Sequence, residues 1–180
     1  MGNIHYGKIT AQDAMGALNR CARYAGFGFC VAWGFLLFAV PEFQPPSGLN
    51  VFLWSMAPGC LVCLFVIAIS RWRAISPSRS GAAFCCAALA SIGSFLHASP
   101  IASSQAVQYA GLVLAGASFI GLLLPWFVAY AELSAREVFL SSGLALVVGS
   151  VTCVIASACD CEIAGFVLSI LPVVSLLLLP

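Results

Sequence analysis

The chain has 180 residues, 62% hydrophobic and 7% charged, with a mean hydropathy of +1.08. Soluble domains carry about 25% charged residues, so this composition excludes a water-facing globular domain and makes lipid the solvent. A net charge of +1 with seven Lys and Arg in all argues against a nucleic-acid-binding face within the chain.

Residues 1–23 form a short cytoplasmic segment. Thr10 and Asp13 can cap an amphipathic helix carrying Ala14, Met15, Leu18 and Cys21 on one face, with Arg20 and Arg23 near its far end. Met1-Gly2 is not a myristoylation start, because Tyr6 stands where Ser or Thr is needed.

The rest, residues 24–180, reads as a membrane bundle of six spans at about 24–40, 51–70, 81–96, 104–127, 135–158 and 163–179. Gly26, Gly28 and Gly34 thin the first span and permit close neighbours. Its aromatic residues Phe27, Phe29, Trp33, Phe35 and Phe38 are expected mostly to face lipid. Pro58-Gly59 predicts a kink in the second span. In the third, Ala83, Ala87 and Ser91 recur every four residues and make a shallow face for helix contact. The fourth carries Pro125 and ends near Phe127, with Trp126, Phe127 and Tyr130 expected in an interfacial belt. Ser134 and Glu137 have capping-box spacing, with Leu133 and Val138 as the hydrophobic staple, and start the fifth span. An acidic turn, Cys159–Glu162, leads to the sixth, which contains Pro172.

Topology follows from charge. With the amino terminus in the cytoplasm, Lys8, Arg20, Arg23, Arg71, Arg73, Arg79 and Arg136 all fall on the cytoplasmic side. Glu42, Asp160 and Glu162 fall outside, with no Lys or Arg. Basic residues in short loops bias orientation in this way. The expectation is therefore a multi-pass cell-membrane protein with both termini cytoplasmic.

Chemistry is sparse. Ionisable residues at mid-depth usually mark function, and none is expected here, so the chain is not read as an enzyme and no cofactor or metal is assigned. Mid-depth hydroxyls such as Ser55, Ser91, Ser118, Ser150, Thr152 and Ser169 are expected to bond to their own helix or glue helices together. Of nine cysteines, Cys30, Cys60, Cys63, Cys85, Cys86 and Cys153 lie in apolar runs and read as small buried hydrophobes. Cys159, Asp160, Cys161, Glu162 and His97 are suitable metal ligands on the outer side. The simpler role of the acids is to favour a helix start.

Six spans, internal ends and the basic loop Arg71–Arg79 between the second and third spans resemble one half of a major facilitator fold. The Gly and Asp of the usual motif in that loop are absent. The run Trp126, Tyr130 and Leu133-Ser134-Ala135-Arg136-Glu137, together with Leu171-Pro172-Val173-Val174-Ser175-Leu176, resembles membrane-bound LuxR-type transcriptional regulators. That resemblance implies an amino-terminal, transporter-like sensor of a small molecule. The DNA-binding helix-turn-helix would lie outside this chain, making it a fragment or a truncated relative. The alternatives are half of a facilitator-type transporter, a small homodimeric transporter, or a non-catalytic scaffold. The implied partners are the lipid bilayer, a small-molecule ligand, and a second half-bundle or a second copy.

Overall fold

The computed structural model describes residues 16, 19–39, 51–70, 81–98 and 104–180. The described residues are helical apart from short turns and ends, with no strand among them. After a helical stretch over 19–22 come α1 (Gly26–Ala39), α2 (Val51–Ser70), α3 (Gly81–Ala98), α4 (Gln105–Ala131), α5 (Ala135–Ser157) and α6 (Cys161–Leu177). Three of them, α3, α4 and α5, are long and apolar enough to cross a membrane. At about 1.5 Å per residue, the 27 residues of α4 exceed a hydrocarbon layer about 30 Å thick.

One boundary differs from expectation: the fourth helix continues past Phe127 to Ala131, with Pro125 inside it. The second spans Val51 to Ser70, as expected, with Pro58 inside it. Proline removes one backbone donor, and neighbouring helices can hold the helix together around that gap.

Packing fixes the direction of each helix. Gly93 of α3 lies against Gly111 and Ala115 of α4, while Cys86 lies against Gly121, so these two run antiparallel. Phe27 meets Trp126 and Trp33 meets Phe119, which makes α1 and α4 antiparallel as well. Gly28 sits beside Ala145 and Gly149, and Cys153 donates its thiol to the Ala32 carbonyl at 3.9 Å, so α1 and α5 are parallel. Ser55 faces Gly116 and Gly59 faces Ile120, so α2 and α4 are parallel. The start of α6 is fixed by Gly165 against Ala98, and its end by Leu178 against Gly26. Successive helices therefore alternate in direction.

The helix pairings show an internal two-fold relation. Exchanging α1–α3 with α4–α6 maps α1 on α5 to α4 on α2, and α3 on α4 to α6 on α1. The pairs α3 with α6 and α1 with α4 map onto themselves. Because each unit has three helices, the second begins at the opposite end and is inverted. The match extends to residues: Ser55-x-x-x-Gly59 crosses Gly116, and Ala145-x-x-x-Gly149 crosses Gly28. Small residues at these crossings let the backbones approach closely.

The core runs through α1, α3, α4 and α6, with Trp33, Leu36, Leu37, Leu112, Leu122, Trp126 and Leu168 fully buried. Most of the α1 aromatics turn inward, against expectation. Trp33 is buried, and Phe27, Phe29 and Phe38 pack on the core, while Phe35 remains exposed. Four glycine and alanine positions on α1 (Gly26, Gly28, Ala32 and Gly34) bring neighbouring helices close enough for these rings to find protein rather than lipid.

Candidate functional site

Two buried indole–hydroxyl pairs supply interior polarity. The Trp33 Nε1–H on α1 donates to Ser94 Oγ on α3 at 2.8 Å. Ser94 in turn donates to the Ala90 carbonyl at 2.8 Å. The Trp126 Nε1–H on α4 donates to Ser175 Oγ on α6 at 3.0 Å. Each pair joins the first and third helix of one three-helix unit. Their registers differ, since Trp33 follows Gly28 by five residues and Trp126 follows Gly116 by ten.

Trp126 is thus not part of an interfacial belt. It is fully buried, whereas Phe127, one residue on, is 58% exposed. A helix advances about 100° per residue, so neighbours in sequence face opposite environments. Aromatic rings surround each pair. Trp33 contacts Phe38 and Phe119, and Phe27 contacts Trp126 and Tyr130.

The sequence did not mark Ser94 or Ser175 as the partner of an indole, and Ser175 entered only as part of the Leu171–Leu176 run. The signal for Ser94 was the small-residue stripe on α3. The buried face runs Ala83, Ala87, Ala90, Ser94, His97 rather than through Ser91 at fixed four-residue spacing. A 3.6-residue period shifts such a stripe by one position every few turns. His97, in the last turn of α3, is buried on this face. The hydroxyls of Ser118, Thr152 and Ser169 donate to Leu114, Val148 and Gly165 carbonyls at 2.8 Å, each four residues back in its own helix.

At the end where α1 and α5 begin, Ser134 and Glu137 form a reciprocal capping box. Glu137 N–H donates to Ser134 Oγ at 3.4 Å, and the Ser134 N–H donates to Glu137 Oε2 at 3.1 Å. Arg20 Nε donates to Glu137 Oε1 at 3.2 Å. Arg23, three residues after Arg20, and Arg136, next to Glu137 in sequence, are both exposed. Arg71, Arg73, Arg79 and Lys8 lie outside the described residues, as do Thr10 and Asp13.

At the opposite end, Asp160 holds the N-cap position of α6 without a side-chain bond, and Glu162 lies in the first turn. Among the described residues no three His, Cys, Asp or Glu converge on a metal position. Cysteines divide by face. Cys30 is buried, but Cys60 and Cys85 lie on the outer surface of the bundle, against expectation. Among the described residues no Asp, Glu, Lys or Arg is buried.

The chain matches no known family model, curated protein or solved structure.

Proposed function

We propose that this chain is the membrane-embedded, six-span sensor region of a LuxR-type regulator, built as one half of a facilitator-like fold. Three features support this. The helices form two inverted three-helix units, an arrangement used in the halves of facilitator transporters. Among the described residues no Asp, Glu, Lys or Arg is buried, and the buried His97 sits in the last turn of α3 rather than at mid-span. The basic residues bias one end toward the cytoplasm.

The observation that carries the reading is the inverted unit combined with an interior in which no described Asp, Glu, Lys or Arg is buried. A transporter-like frame with no described carboxylate, lysine or arginine buried in it suits recognition of an apolar or hydrogen-bonding small molecule. A half-transporter shares the same frame and is the second reading. The test is uptake in reconstituted vesicles with and without a pH gradient. The sensor reading expects no gradient-dependent uptake. Uptake that collapses when the gradient is dissipated favours the transporter. Reading the coding frame past Pro180 provides a second test: a basic helix-turn-helix supports the regulator, and further spans bearing buried acids support the transporter.

A further inference from the structure

Beside the Arg20–Glu137 pair, two guanidinium groups are left over. Glu137 is occupied by Arg20 and by the hydroxyl and backbone N–H of Ser134. Arg23 is one turn beyond Arg20, its N–H donating to the Arg20 carbonyl at 3.2 Å. Arg136 adjoins Glu137 in sequence. Both are exposed, and among the described residues neither has a carboxylate within ion-pair distance.

The surface continuing from Arg136 along α5 is apolar. Leu140, Gly143 and Val147 follow it at helical spacing on one stripe, all exposed. A side chain at Gly143 would meet nothing within 4 Å, so the stripe has an open notch. Tyr24 and Tyr130 stack edge-on at 5.3 Å at the same end, a position where aromatic rings mark headgroup depth.

We propose that this end of α1 and α5 binds an anionic phospholipid. Arg23 and Arg136 hold its phosphate, and an acyl chain lies over Leu140, Gly143 and Val147. Guanidinium forks match phosphate oxygens in pairs. A cation beside an apolar stripe matches a headgroup joined to a tail, which free phosphate lacks. Glu132, the C-cap of α4 four residues before Arg136, is the described carboxylate of that turn and would oppose binding. The proposal rests on the membrane reading of the chain.

The test uses the full chain purified in neutral detergent, with phosphatidylglycerol, phosphatidylcholine or inorganic phosphate added. Retained lipid is counted by native mass spectrometry. Phosphatidylglycerol is expected to stay bound, and phosphatidylcholine is not. Inorganic phosphate is expected not to compete with it at equal concentration. Each of Arg23→Gln and Arg136→Gln should weaken retention about fivefold, with helicity by circular dichroism unchanged. Arg136→Gln with Glu132→Gln restores net charge and should still bind weakly. Gly143→Leu should reduce retention by filling the notch. Equal retention of both lipids, full competition by phosphate, or unchanged binding by the arginine variants overturns the proposal. Failure of the chain to float with vesicles of either composition would overturn the membrane reading itself.

Discussion

Gly116 faces the backbone of Ser55, and a methyl group there would collide with the backbone of α2. Gly116→Ala should therefore destabilise the bundle by about 1–3 kcal/mol, through overpacking at a close crossing. Gly143→Ala meets open space and lies inside a helix, so it should be neutral or stabilise by about 0.5–1 kcal/mol. Thermal unfolding in detergent separates the two variants. A double-mutant cycle of Trp126→Phe with Ser175→Ala should give a coupling of about 0.6 kcal/mol, typical of hydrogen bonds between membrane helices. No coupling would mean that the indole contributes packing alone. Residue burial was only partly legible in the sequence. Glycine spacing signalled that α1 approaches its neighbours closely. Which rings point inward depends on where those neighbours sit, and Trp126 and Phe127 are indistinguishable by local composition.

The start of α5 depends on its cap. Ser134→Ala removes the acceptor for the Glu137 N–H and should cost about 1 kcal/mol. The loss should appear as faster amide exchange in the first turn of α5, with the middle of that helix unchanged. Uniformly faster exchange throughout the bundle would contradict a local capping role. Helix existence was legible because apolar runs are long and bounded by polar or proline-rich stretches. Helix ends were less so. The fourth span was expected to end near Phe127, yet α4, with Pro125 inside it, continues to Ala131 and buries Ala129. A proline ends a helix in water more readily than one held by neighbours. The stripe on α3 was recognised at Ala83 and Ala87 but followed to the wrong serine, because fixed four-residue spacing drifts from the true helical period.

At the scale of the molecule, the inverted three-helix units were not legible in the sequence. They are defined by which helices touch, and the Ser55/Gly59 and Ala145/Gly149 crossings share only small side chains. Their consequence is an interlocked bundle, since α1 packs on helices of the second unit and α4 on helices of the first. The described basic residues Arg20, Arg23 and Arg136 gather at one end, and Asp160 and Glu162 lie at the other. Six spans with the basic end in the cytoplasm is the proposed orientation, and it is the claim on which the proposed function rests. Labelling by a membrane-impermeant maleimide on intact cells tests it most directly, with the remaining cysteines replaced. Cys159 and Cys161 should react from outside, while a cysteine introduced as Ser76→Cys should react only after permeabilisation. Reaction of Ser76→Cys from outside, or of both positions from one side, would contradict the six-span orientation.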